Sequence, residues 1–274
     1  MKKLVLLALT LVLALGLAAC GKESSSGSAS KEKKEIKIGA TSGPYADMVK
    51  KAIAPQLEKD GYKVEIVEFS DYVQPNISLG NGSIDANLFQ HKIYMENFAK
   101  ENNLELSELI SVPTAPMGIY SNKLKDLKEI KKGTTLALPN DPTNMARALK
   151  ILDAEGIIKL DPAANPLTVS EKDVKENPHG IQFKPLEAAQ LPRAVESVDL
   201  SAVPGNFALA AKMDLLDALK LEEMEDEYRN RVVINTKDLD KDFAKAIKKA
   251  VESDEFEKTI DSEFKGFGKP EWMK

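Results

Sequence analysis

Ile36-Lys37-Ile38-Gly39-Ala40 opens the folded body of this 274-residue chain, and the residues after it decide the fold. Apolar and polar side chains alternate as on a strand, then give way to Thr41-Ser42-Gly43-Pro44, a loop at a helix start. Ala46, Met48, Val49, Ala52, Ile53 and Leu57 follow at helical spacing, with Pro55 expected to kink or break the helix. Gly61 punctuates, and Tyr62-Lys63-Val64-Glu65-Ile66-Val67-Glu68-Phe69 alternates as a second strand. Strand, helix and strand in so few residues make a βαβ unit, whose crossover is right-handed.

The same grammar continues outward. A helical turn is expected over 76–81, a short strand over 84–88 and a helix over 94–102. Thr134 to Leu138 reads as a strand entering Pro139-Asn140-Asp141-Pro142-Thr143-Asn144, where Thr143 or Asn144 can cap a helix that Gly156 ends. Further strands are expected over 200–203 and 232–234, and a late amphipathic helix over 243–251. Alternating β and α elements on this scale mean an α/β protein with mainly parallel sheets. The stretch Pro113-Thr114-Ala115-Pro116-Met117-Gly118-Ile119-Tyr120-Ser121 is expected to split the body in two. The expected organisation is a first lobe over 36–117, a second over 118–230, and a return to the first over 231–274. Loops at the carboxyl ends of parallel strands then face a cleft suited to a small ligand.

Before the body stands a different kind of sequence. Met1-Lys2-Lys3 is basic, Leu4 to Leu17 is almost unbroken apolar, and Leu17-Ala18-Ala19-Cys20-Gly21 closes the run. That is a secretory signal over residues 1–19, too short for a membrane span of about 20 apolar residues. The chain's single cysteine, Cys20, has no disulfide partner and sits at the expected cut, in a context that resembles the lipobox of bacterial lipoproteins. Lipidation there would tether the protein to a membrane through buried acyl chains. Residues 20–35 are small, polar and charged, as in a flexible linker. The formal charge is −5 and becomes more negative when Lys2 and Lys3 leave with the signal, which argues against a nucleic-acid partner.

Catalytic patterns are sparse. There is no Gly-x-Ser-x-Gly elbow, phosphate loop or His-Glu-x-x-His, and two histidines with one exported cysteine cannot build a multi-His or Cys metal site. No enzyme activity and no cofactor are therefore expected. The informative cluster is Asp71-Tyr72-Val73-Gln74-Pro75-Asn76 with Asp85-Ala86-Asn87-Leu88-Phe89-Gln90-His91-Lys92-Ile93-Tyr94. It is expected to set Tyr72, Phe89, His91 and Tyr94 in loops beyond strand ends. Each aromatic alone reads as core; together they can form an apolar slot, and thioethers contact aromatic rings favourably. The acidic run Glu222-Glu223-Met224-Glu225-Asp226-Glu227 reads as a solvated loop.

These two segments, with Pro139 to Leu149 and Ala189-Gln190-Leu191-Pro192-Arg193, resemble the methionine-binding lipoproteins that serve ATP-binding-cassette importers. The resemblance runs from the lipobox through Trp272. It implies a two-lobed periplasmic-binding-protein-like fold with the ligand cleft between the lobes, and a membrane permease and ATPase as partners. It also implies that Tyr72 and Phe89 sandwich the methionine side chain, with His91 and Tyr94 as polar neighbours. Arg147 would clamp the ligand α-carboxylate, a task suited to a fixed fork of donors, and Asn230 would bond the head group. Two positions depart from the pattern. Tyr45 stands where relatives often have histidine, and Pro204, in Val203-Pro204-Gly205-Asn206-Phe207, replaces an asparagine that contacts the ligand. Asn206 can take over that bond. Otherwise the ligand is D-methionine, a methionine-containing dipeptide or another small apolar amino acid. An exported enzyme using the same cleft is the remaining alternative.

Overall fold

The computed structural model describes residues 34–274, so the expected signal peptide, Cys20 and nearly all of the linker lie outside the described residues. Strand β1 (Glu35–Thr41) leads into a helical stretch in three parts: α1 (Pro44–Met48), a π-helical turn (Val49–Ile53) and α2 (Ala54–Lys59). Pro55 does not break this stretch. The proline ring would clash with the carbonyl four residues earlier in a regular helix. The wider turn immediately before it, closed by the Ala54 N–H donating to the Val49 carbonyl, accommodates the ring.

The chain continues through β2 (Lys63–Phe69), α3 (Gln74–Gly80), β3 (Ala86–His91), α4 (Lys92–Asn102) and β4 (Leu106–Ser111). It then crosses to a second sheet, building β5 (Gly118–Tyr120), β6 (Thr135–Pro139), α5 (Pro142–Ala154) and the small hairpin β7 (Lys159–Leu160) and β8 (Val174–Glu176). Next come β9 (Gln182–Leu186), α6 (Leu191–Ala194), β10 (Leu200–Val203), α7 (Gly205–Ala210) and β11 (Lys220–Leu221). The chain returns to the first sheet with β12 (Asn230–Asn235) and finishes in α8 (Asp242–Val251) and α9 (Asp254–Glu263).

The first sheet has the order β2-β1-β3-β12-β4, the second β11-β5-β10-β6-β9. Each has one reversed strand, β12 in the first and β5 in the second, antiparallel to both neighbours. All other strands of a sheet run the same way. The reversed strand is in each case the one entered after a crossing, so the two connections, 112–117 and 222–229, run side by side between two α/β lobes. Each lobe has its own core. Ile36, Ile38, Met48, Leu57, Ile247 and Phe256 are buried around the first sheet, and Ile119, Leu136, Leu149, Leu152 and Leu200 around the second. Phe243, Ala244, Ile247 and Val251 recur every three or four residues and give α8 its buried face.

Two local readings change. Asp141, not Thr143 or Asn144, caps α5: its carboxylate accepts the Asn144 backbone N–H at 2.9 Å, and Pro142 occupies the first turn. Strand β3 runs on to His91, so Phe89 and His91 lie in the strand and Tyr94 in α4, rather than in loops. All six β3 residues are buried. A strand covered on both faces loses the alternation by which its length is read.

Gly205, the first residue of α7, packs on the first crossing. A Cβ built there would lie 2.4 Å from the Pro116 carbonyl oxygen and 2.7 Å from the Ala115 Cβ. Since the obstacle is partly backbone, Gly205→Ala is expected to destabilise the protein by about 1–3 kcal/mol through overpacking. Urea unfolding monitored by circular dichroism checks this; an unchanged midpoint would show that the crossing yields freely.

Candidate ligand-binding site

All seven side chains singled out in the sequence line one cavity: Tyr72, Phe89, His91, Tyr94, Arg147, Asn206 and Asn230. Tyr72 follows β2, Phe89 and His91 come from β3, Tyr94 from α4, and Asn230 begins β12. From the other lobe come Arg147, in the second turn of α5, and Asn206, in the first turn of α7. Tyr45, Gln90, Thr114, Asn144 and Pro204 complete much of the wall. The space between these residues is about 320 Å³, part of it open to solvent, and only about 20 Å³ of it admits the centre of a water molecule. That is room for a water or two, not an amino acid. The lobes are drawn together over the cavity, and Tyr72 bridges them.

Tyr72 and Phe89 touch, with ring centroids 5.8 Å apart and a 38° tilt, and Tyr72 lies 4.9 Å from Phe207 of the other lobe. The Tyr72 hydroxyl donates to Asn206 Oδ1 at 2.6 Å, across the cleft. A side chain seated between Tyr72 and Phe89 therefore requires the rings to part. Asn206 Nδ2 is buried with no hydrogen-bond partner among the described residues. A buried donor left unmade costs about 1–3 kcal/mol, so this amide is primed to bond an acceptor in the cavity.

The floor is held by amides. Asn76 and Gln90 bond reciprocally, Nδ2 to Oε1 at 2.7 Å and Nε2 to Oδ1 at 2.6 Å, and Asn87 Nδ2 adds a bond to Asn76 Oδ1 at 3.0 Å. These contacts tie α3 to β3 and explain why a fully buried strand carries Asn87 and Gln90. His91 caps α4, its Nδ1 accepting the Tyr94 backbone N–H at 3.1 Å. Nδ1 is therefore unprotonated and Nε2 carries the hydrogen, which points at Asn144 Oδ1 across the cleft at 3.2 Å. The imidazole is neutral: burial holds its pKa well below the usual histidine range, and the nearby Arg147 charge pushes the same way.

Arg147 is buried yet fully engaged on one side. Its Nε donates to Glu222 Oε2 at 3.0 Å, its Nη2 to Glu222 Oε1, and its Nη1 to Asn144 Oδ1 at 2.8 Å. The acidic run is thus not wholly solvated. Its first carboxylate turns inward, with a side chain only 6% exposed, while Glu223, Glu225, Asp226 and Glu227 remain at the surface. Sequence reasoning missed Asn144 as a site residue, although it lies one turn before Arg147 on the same helix. Glu222 offered no local signal, being 75 residues away. Among the described residues no cluster of three His, Cys, Asp or Glu side chains is arranged to hold a metal ion.

Two α/β lobes joined by two crossings, with a cation and orphaned amide facing a cavity between them, define a two-lobed small-molecule-binding protein of the periplasmic-binding class. The particular family follows from comparison: residues 36–272 match the NlpA lipoprotein model, and the chain belongs to that family. The D-methionine-binding lipoprotein MetQ of Escherichia coli K12 is 34% identical over 245 residues, 88% of this chain and 90% of that protein. A nutrient binding protein from Burkholderia cenocepacia, solved bound to methionine, superposes with a TM-score of 0.81 at 37% identity, covering 84% of this chain and 97% of that one. A solved methionine binding protein, MetQ, superposes at 0.82 with 33% identity over 88% of this chain and all of its own.

The state of His91 makes a pH prediction. An unfolded imidazole takes up a proton at about pH 6.5, whereas the folded one stays neutral to lower pH. Between those two points the unfolded chain binds more protons, so stability falls as pH drops from about 6.5. Chemical denaturation across pH 7 to about 5.5 should show this loss, and His91→Gln should flatten it. An NMR titration in which the folded His91 ring protonates near the ordinary value would contradict it.

Proposed function

We propose that this protein is the lipid-anchored substrate-binding component of an ATP-binding-cassette importer, capturing methionine outside the cytoplasm and delivering it to a permease and its ATPase. The observation that carries the reading is the convergence on one cavity of an arginine, an unpartnered amide and an aromatic group from both lobes. Family membership and relatives whose names state methionine binding support it. Residues 1–19 are read as a cleaved signal, Cys20 as the lipidated mature N-terminus and 20–35 as the tether. The lobes are assigned to 36–117 with 230–274, and to 118–229, Asn230 going with the strand it begins. Among the described residues no helix is long and apolar enough to cross a membrane, so lipid supplies the anchor in this reading.

In the bound form Arg147 takes the ligand carboxylate, Asn230 the head group, and Tyr72 with Phe89 the thioether side chain, with His91 and Tyr94 beside it. Asn206 Nδ2 replaces the side-chain bond that Pro204 cannot make. Because the cavity is too small for an amino acid and the Tyr72 and Phe89 rings touch, the lobes or the rings must move for the ligand to enter, and ligand stabilises whichever arrangement it contacts best. The importer reads that arrangement as loaded.

Mass spectrometry of what the denatured protein releases, with a thermal-shift panel of both methionine enantiomers and short methionine peptides on stripped protein, tests the assignment. A ligand at 100 times its dissociation constant adds about 2.7 kcal/mol of stability. A panel led by a dipeptide would reassign the ligand, and silence from every compound would refute the reading. Arg147→Ala is expected to weaken methionine binding by about 2–5 kcal/mol, because the carboxylate loses a buried charge partner. Titration calorimetry with an unchanged dissociation constant would remove Arg147 from the site.

A further inference from the structure

Glu222 is absent from the cavity wall, yet it determines what Arg147 offers there. Its carboxylate occupies the side of the guanidinium formed by Nε and Nη2, and a third donor, the Met117 backbone N–H, holds Oε1 at 2.7 Å. A guanidinium has five N–H groups. Glu222 takes two and Asn144 one, leaving one on each terminal nitrogen, the two-toothed end that fits a second carboxylate. The Tyr228 ring lies 5.4 Å from Arg147 Cζ and limits sideways movement. Arg147, Asn144, Met117 and Glu222 all belong to the second lobe or to the ends of the crossings that meet it. The arrangement therefore does not depend on closure against the first lobe.

Charge adds a second consequence. Arg147 is the one charged residue lining the cavity, since His91 is fixed as a neutral tautomer by the bonds at its two nitrogens. Glu222, with its side chain only 6% exposed, cancels that charge at contact distance. A net-neutral site suits a net-neutral guest such as a free amino acid in its zwitterionic form. Without Glu222 the same site would hold an uncompensated cation and would oppose an ammonium group brought in beside it.

We propose that Glu222 is a positioning and specificity residue: it aims the terminal nitrogens of Arg147 at the ligand carboxylate and sets the site's net charge to zero, so that the protein selects zwitterions. This rests on the methionine reading above.

The test compares L-methionine with L-methioninamide, which has nearly the same shape but carries a net positive charge once its amine is protonated. Competition calorimetry at a pH below that amine's pKa gives both dissociation constants for the wild type, E222Q and E222D. E222Q keeps the side chain's size and removes its charge. The penalty for exchanging carboxylate for amide should then grow at least about tenfold over the wild type, equivalent to about 1.4 kcal/mol. A purely structural role would weaken both compounds alike and leave the ratio unchanged, and that result overturns the assignment. E222D keeps the charge but draws the carboxylate back by one methylene. It should weaken methionine about tenfold with the wild-type ratio retained. If E222Q does not fold, E222D decides: unchanged methionine affinity overturns the proposal. Wild-type protein that binds neither compound overturns the methionine reading, and this proposal with it. Wild-type protein that binds methionine, with an E222Q ratio that does not move, overturns the role of Glu222 alone.

Discussion

A guanidinium taken out of water costs several kcal/mol unless its charge and donors are met, and Arg147 is 6% exposed. Much of the second lobe is arranged to meet that demand. Asp141 caps α5 and so sets the rotation at which Asn144 and Arg147 share one face of the helix. The short edge strand β11 ends at Leu221, placing the next residue, Glu222, over the same helix. Breaking a buried pair by removing one partner typically costs about 3–5 kcal/mol, far more than a surface ion pair is worth. The return crossing is therefore anchored at its start by an electrostatic contact that also serves the cavity.

The first lobe meets a different constraint, that of polar side chains on a strand buried on both faces. Asn87, Gln90 and His91 would be destabilising in β3 without partners. The Asn76 amide, the neighbouring side-chain amides and the α4 backbone supply them. A satisfied network of this kind is rigid and gives the cavity a fixed floor. Across the cleft, the Tyr72 to Asn206 and His91 to Asn144 hydrogen bonds and the Tyr72 ring against Phe207 are joined by packing of α4 on α5 and of α1 on α7. Two lobes with separate cores, joined by two crossings, have the architecture on which hinge motions are built.

Local order was legible from residue spacing. The alternation of Ile36 to Ala40 and of Lys63 to Phe69 and the amphipathic face of α8 are all reproduced as elements. These signals depend on neighbours within a few residues, and a single burial environment fixes each of them. The resemblance carried the cavity residues further, since all seven converge although they span β2 to β12.

What spacing alone did not reveal has one common cause. The length of β3, the π-helical turn before Pro55, the Asp141 cap and the inward turn of Glu222 are each decided by groups that meet only after the chain has closed on itself. A strand covered on both faces shows no alternation, and a carboxylate in an acidic run looks solvated until an arginine 75 residues away is brought against it. The sequence by itself determined the α/β class and the run of strands and helices that builds the two sheets. Only the tertiary structure decided which carboxylate balances Arg147 and that Tyr72 bridges the lobes, because buried charge and packing volume are properties of the assembled fold, not of any local stretch of chain.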